Sequence, residues 1–221
     1  MANYEVAPEL LTDFVPKGTK LDFHEGKCYV SLVAFMFLDT KVLGLSVPFH
    51  INFEEANLRF YVRRETGGEI RRGVVFIKEI VPRAAISLVA RTFYSEPYET
   101  WKMSHARSDN KLSYDWSKSI CENRISVNIG RNLGVPEENS LGEFIIEHYW
   151  GYTGRGANRT DEYKVEHPKW ELFDVNSAEI TVDFGFTYGA EFDFLSGSNP
   201  PSILLAKGSE ISVYQGEKLH L

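Results

Sequence analysis

The 221-residue chain holds only two cysteines and three methionines, and its 24 Lys and Arg are outnumbered by 31 Asp and Glu, giving a formal net charge of −7. Each shortage excludes a class of function. Cys28 and Cys121 are far apart in strand-like surroundings, so they read as small buried hydrophobes and not as a disulfide or a metal pair. The negative balance leaves no basic field for nucleic acid, and Arg63-Arg64 and Arg71-Arg72 flank a turn instead of interleaving with stacking aromatics. No apolar run approaches the about 18 residues of a membrane span, and the opening Met-Ala-Asn-Tyr-Glu-Val lacks the basic and apolar regions of a signal peptide. A cytoplasmic protein without nucleic-acid or membrane partners is the expectation, which makes Asn158-Arg159-Thr160 a chance glycosylation match. The six histidines never fall at i and i+4 or join a cysteine in a ligand pattern, so neither a metal nor a cofactor is expected. A Gly-x-Ser-x-Gly elbow and a Gly-x-x-x-x-Gly-Lys phosphate loop are both missing, and Gly151, Gly154 and Gly156 do not lead a strand into a helix. No Pro/Gly/Ser-rich linker divides the chain, so residues 1–221 read as one domain.

What is present favours sheet. Hydrophobic residues make up 43% and Phe and Tyr alone contribute 26 positions, which suits a β-rich core. Residues 27–38 are nearly continuous in β-branched, aromatic and aliphatic side chains and predict a long buried strand. Strands over 54–64 and 73–81 follow, joined at Thr66-Gly67-Gly68-Glu69 in a hairpin, which implies antiparallel pairing. Further strands are expected at 111–116, 120–129, 147–153, 162–166, 169–173 and 210–214. Three helices are predicted. Residues 8–15 form a short one stopped by Pro16. Pro82 opens a second, with Ile86, Val89, Ala90 and Phe93 on one face and Arg91 and Tyr94 near its last turn. Ser140 starts a third through a capping box with Glu143. The outcome is an α+β fold, mainly antiparallel β, with a sheet large enough to curl or close.

The segment 48–64 carries an acid out of phase. Ala56, Leu58, Phe60 and Val62 form an apolar face and Glu55, Asn57, Arg59 and Arg63 a polar one, yet Glu54 falls on the apolar side. A carboxylate there must be hydrogen-bonded, paired or protonated. Glu54 is therefore a candidate site residue, with a structural ion pair to an arginine as the alternative.

Three blocks carry a resemblance: Tyr4 through Asp22, Asn52 through Val62, and Gly73 through Pro82. Together they resemble the YqjF-like family of uncharacterised proteins, placed with the acetoacetate decarboxylase-like superfamily. The resemblance covers almost the whole chain, with the chain starting at the family's first core strand. It implies a curled antiparallel β-barrel with an internal pocket and a few packed helices. The decarboxylases use a lysine that forms a Schiff base beside a second lysine that lowers its pKa. Here Arg91 and Pro97 match the preceding segment, but Tyr98 and Glu99 stand where the lysine pair should be, so the resemblance does not carry that reaction over. The family's acid near the reacting carbon falls on Glu54, or on Glu55 if the match slips by one.

Around this frame the other residues divide between site and scaffold. Glu55, on the polar face, reads as solvated or cross-strand paired. Lys78 lies in an otherwise apolar stretch and could act as a nucleophile, or could close a Lys–acid pair at a strand end. Arg91 could fix a ligand carboxylate or bind Glu54 or Glu79. Tyr94, Tyr98 and Trp101 could line a pocket or pack in the core. His167, near His148, is a general base or a satisfied strand-end histidine. Two functions remain: a binding module for a small oxo or carboxylic acid that uses Glu54, Arg91, Tyr94 and Tyr98, or an enzyme of different chemistry, a lyase or hydrolase, using Glu54 with Lys78 or Arg91. A homo-oligomer is compatible with either.

Overall fold

The computed structural model describes residues 1–42, 45–46, 51–83, 97–156 and 159–220. The predicted helix after Pro82, and with it Arg91 and Tyr94, lies outside the described residues. The chain begins with β1 (Ala2–Val6), β2 (Lys20–Leu21) and β3 (Cys28–Phe37), followed by the small pair β4 (Lys41–Val42) and β5 (Leu45–Ser46). Two long strands come next, β6 (Phe53–Thr66) and β7 (Glu69–Val81), and then β8 (Tyr98–Thr100), β9 (Lys102–Arg107), β10 (Lys111–Lys118) and β11 (Cys121–Gly134). The remainder supplies β12 (Trp150–Gly154), β13 (Arg159–Glu166), β14 (Leu172–Thr181), β15 (Ser202–Ile203), β16 (Leu205–Ala206), β17 (Ser212–Val213) and β18 (Glu217–His220).

The β6–β7 hairpin turns at Gly67 and Gly68, both with positive φ (57° and 82°), the combination a two-residue turn between twisted strands requires and glycine supplies without steric cost. Thr66 pairs with Glu69 and the ladder runs antiparallel down to Ala56–Ile80, with one irregularity beside Leu58. On its other side β6 pairs antiparallel with β3, from Val30–Phe60 to Phe37–Phe53. The resulting sheet runs β15-β1-β3-β6-β7-β12-β13-β17, with β2 added to β6, β8 to β7 and β18 to β13. The antiparallel expectation needs one correction. The outer edge of β7 is shared by two parallel neighbours, β12 at Gly73–Val74 and β8 at Glu79–Val81. Both reach that edge from later in the chain and run in its direction, so the sheet is mixed. A second sheet is antiparallel throughout, in the order β16-β14-β11-β10-β9. The two ends of the long sheet are not hydrogen-bonded to each other among the described residues.

Apolar side chains of β1, β3, β6 and β7 meet those of β10, β11 and the segment 182–195 in one large core that includes Leu32, Leu58, Phe60, Ile80, Trp101, Trp116, Phe184 and Phe192. A smaller cluster on the opposite face of the long sheet joins Tyr29, Tyr61, Val74, Phe144 and Ile145. The central strands are thus covered on both faces, which is why β3 reads as a continuous apolar run. Cys28 and Cys121 are buried free thiols, as their surroundings predicted. Helix α1 (Leu141–Ile146) drives Phe144, Ile145 and Ile146 into the core, and Ser140 Oγ accepts the Glu143 amide as the capping box foresaw. The reciprocal bond goes one residue further out, from the Asn139 amide to Glu143 Oε2. Residues 8–14 form a 3-10 helix with Leu11 as its buried anchor. The short helix α2 (Phe184–Tyr188), capped by Asp183, was not visible in the periodicity because it spans little more than one turn. No helix among the described residues is long and apolar enough to cross a membrane.

Candidate functional site

Successive residues of a strand point to opposite faces, so Glu54 and Glu55 part company on β6. Glu54 shares its face with Ala56 and Leu58. It is half-buried and reaches across to the second sheet, where its Oε1 lies 2.7 Å from Nδ1 of His105. The His105 ring stacks on Tyr114 at 6.1 Å between centroids. The acid that looked out of phase is accounted for by a histidine on β9.

Glu55 takes the other face with Asn57 and Arg59. It is 2% exposed and holds donors on both oxygens: the Asn57 amide gives a bond to Oε1 at 2.8 Å and the Tyr98 hydroxyl gives one to Oε2 at 3.1 Å. Register explains the convergence. Asn57 sits opposite Glu79, and Glu79 opposite Tyr98, so the three side chains form a row across β6, β7 and β8 on one face. Glu79 is also 2% exposed. Two carboxyl groups are therefore buried within reach of one phenol. Burial pushes the Glu55 carboxyl up to about 7, against the partial opposition of its bonds from Asn57 and Tyr98 and of the Arg59 charge. Burial likewise holds Tyr98 well above the ordinary phenol range, reinforced by the charges of Glu55 and Glu79. The Tyr188 hydroxyl is buried without a hydrogen-bond partner among the described residues, and the field of Glu55 adds to burial in raising it.

Lys78 pairs in register with Leu58 and so faces the side of Glu54, away from Glu55. Its Nζ lies 3.0 Å from Glu99 Oε1, while Glu99 Oε2 also accepts from Lys118 at 3.0 Å and from the Trp101 indole at 2.9 Å. Burial alone would raise Glu99, but the bonds from Trp101, Lys78 and Lys118 outweigh it and bring that carboxyl down to about 2. Trp101 itself is a core side chain. His148 and His167 do not converge. His148 is buried 3.4 Å from Asp22, whereas His167 is stacked on Trp170 at 4.2 Å.

The structure thus brings Tyr98 to an acid, but to Glu55 and not to Glu54. Glu55 was read as solvated because its phase carries Asn57, Arg59 and Arg63. The contrary signal is that Phe53 and Tyr61 share this phase, which marks a second covered face. An open surface cleft of about 320 Å³, lined by Phe23, His24, Arg72, Ser140 and Phe144 among others, lies apart from this cluster. Its guanidinium is committed to Asp22 at 2.7 Å and so offers no free cation to a ligand.

Comparison with known proteins agrees with this architecture. The acetoacetate decarboxylase of one solved structure superposes with a TM-score of 0.63 at 11% identity, covering 99% of this chain and 85% of the other. The enduracididine biosynthesis enzyme MppR, solved in complex with pyruvate, gives 0.62 at 15% identity over 99% of this chain and 84% of that one. Such distant likeness shows the fold alone. In sequence, the uncharacterized protein YqjF of Bacillus subtilis (strain 168) is 26% identical over 186 residues, or 82% of this chain and 74% of that protein. A family model described as "Uncharacterized conserved protein" matches residues 1–210. The chain, with its acetoacetate decarboxylase-like fold, belongs to this DUF2071 family of uncharacterized conserved proteins.

Proposed function

We propose that this protein is a cytoplasmic single-domain binding module with a curled β-barrel, which takes a small oxo or carboxylic acid into an internal site at Glu55, Glu79, Asn57 and Tyr98. The observation that carries the reading is Glu55 itself. A carboxyl group that is 2% exposed, held by an amide and a phenol and pushed up by burial to about 7, is costly for a scaffold and apt for a ligand site. A protonated Glu55 can donate a hydrogen bond to a carbonyl or carboxylate oxygen, while the Tyr98 hydroxyl, whose one proton goes to Glu55 Oε2, holds the acid in place. The pyruvate complex of MppR, a fold neighbour, fits a ligand of this class. The site works without an imine-forming lysine, since Lys78 faces the opposite side of the sheet and is held by Glu99. Arg91 and Tyr94, expected from the sequence to bind the ligand, lie outside the described residues.

Calorimetric titration with pyruvate and a panel of oxo and carboxylic acids at pH 6 tests the proposal. Saturable binding that weakens in Tyr98→Phe, with no borohydride-trapped adduct, is expected. Failure of every acid to bind overturns it.

A second reading, an enzyme of other chemistry on the same class of acid, is favoured by the carboxyl poised at about 7, where a group serves equally as general acid or base. Glu54 with Lys78, the pair expected from the sequence, is less suited, because both are already engaged, with His105 and Glu99. Product formation from any acid in the panel decides between the two.

A further inference from the structure

Three large apolar side chains stand exposed where one end of the second sheet meets α2. Ile120, at the β10–β11 turn, is 94% exposed, Phe186 on α2 is 51% exposed, and Phe194, in the 3-10 segment Ala190–Leu195, is 57% exposed. Contacts beneath them tie the three elements together. Thr187, next to Phe186, accepts the Asn123 side-chain amide at 3.0 Å and lies 3.8 Å from the sulfur of Cys121, the neighbour of Ile120. The Phe186 ring meets Trp101 edge-on at 6.0 Å, and Lys118 Nζ lies 5.5 Å from the centre of the same indole. Asp193, next to Phe194, packs against Gly185, where a Cβ would come within 2.6 Å of its carboxylate. Scattered single apolar residues on a surface are ordinary, whereas three on neighbouring elements are the kind of patch that marks an interface.

The charges around this patch are separated by sign. At the sheet end Lys78, Lys102 and Lys118 outnumber Glu99 and Glu122, on strands that the pairing sets side by side. On the helical side Asp183, Glu191 and Asp193 are exposed, and from residue 170 to residue 206 the chain holds six Asp and Glu and no Lys, Arg or His. A patch that is basic at one end, acidic at the other and apolar between them is complementary to itself. A two-fold axis through its middle lays the basic end of one copy on the acidic end of the other. Such a contact places aromatic side chains at the centre and charges at the rim, as protein interfaces do.

We infer that this face binds a second copy of the chain as a two-fold dimer, with Ile120, Phe186 and Phe194 in its buried centre and the lysines of each copy against the acids of the other. The inference is independent of the proposed ligand site, since none of these side chains belongs to the Glu55 cluster.

Sedimentation equilibrium of the unmodified protein, from micromolar to millimolar concentration, reads the association directly. A monomer–dimer equilibrium is expected. Phe186→Asp should weaken it roughly 30-fold or more, the loss that removal of a central aromatic anchor brings. If that variant does not fold, Ile120→Asp asks the same question at the tip of a turn, where the side chain supports no core. Lys102→Glu should weaken the dimer about fivefold, and adding Glu191→Lys should recover it, because the swap restores opposite signs across the two-fold axis. A chain that stays monomeric over the whole range overturns the inference. A dimer indifferent to both Phe186→Asp and Ile120→Asp overturns the assignment to this face. Failure of the charge swap to recover Lys102→Glu overturns the arrangement of lysines against acids.

Discussion

Glu54 and Glu55 are neighbours on one strand and belong to different environments: Glu54 crosses to His105 at 2.7 Å, whereas Glu55 is closed in by Asn57 and Tyr98 on the opposite face. One strand of this sheet therefore serves two polar clusters, and substitutions at the two positions should have unrelated consequences.

Glu55→Gln should abolish one component of the pH dependence of stability. The folded carboxyl sits at about 7 against an ordinary 4.5, so the folded state holds its proton over a range in which the unfolded chain releases it. The associated stability is fully present below pH 4.5 and is lost as pH rises through 7, a loss on the order of 3 kcal/mol from the size of the shift. Urea denaturation of the wild type and the variant between pH 4 and 8 measures it. The variant should lose less stability than the wild type over that interval, and equal slopes would refute the buried-acid assignment.

His148 should contribute the opposite slope. Burial lowers it to about 4, with Asp22 opposing and the Arg72 charge assisting, so it is neutral in the folded protein. A depressed folded value means stability that is present above pH 6.5 and lost as pH falls through 4, again on the order of 3 kcal/mol. The two groups offset each other in the wild type. His148→Gln should therefore expose the Glu55 dependence as a net fall in stability from pH 4.5 to 7, measurable by the same denaturation series.

Glu162 on β13 is 2% exposed and is gripped by Arg64 at 3.0 Å and Arg71 at 2.5 Å, tying the β6–β7 hairpin to β13. The Arg71 guanidinium also lies over the Trp150 ring at 4.2 Å. Glu162→Ala leaves two half-buried cations without their partner and should cost about 3 kcal/mol in denaturant unfolding. Arg64→Ala should cost less, because Arg71 still neutralises the acid. A Glu162→Ala protein as stable as wild type would show the pair to be dispensable.

Gly151 marks a close approach. A Cβ placed there would lie 2.0 Å from Cζ of Tyr163, whose ring covers the backbone of β12. Gly151→Ala should destabilise by about 1–3 kcal/mol through overpacking. The loss should shrink in the background of Tyr163→Ala, and a double-mutant cycle with no coupling would contradict the contact.

By itself the sequence determined the long strands β3, β6, β7, β10 and β11, the β6–β7 hairpin, the Ser140 cap and the family, because alternation, paired glycines and capping residues act over a few residues and need no distant partner; it missed β1, β9 and β18 and placed β14 too early. It also placed an acid of interest at 54 or 55. It could not choose between them, since one-sided alternation assumes a single buried face, and β6 lies between two cores, one built on Leu58 and Phe60 and the other on Tyr61 with Phe144. Nor could it show that β8 and β12 return parallel to β7, a matter of long-range pairing that sets Tyr98 beside Glu79 and within reach of Glu55. Which carboxyl is buried, and what donates to it, was decided by tertiary structure, because the environment that sets its protonation is assembled from strands dozens of residues apart.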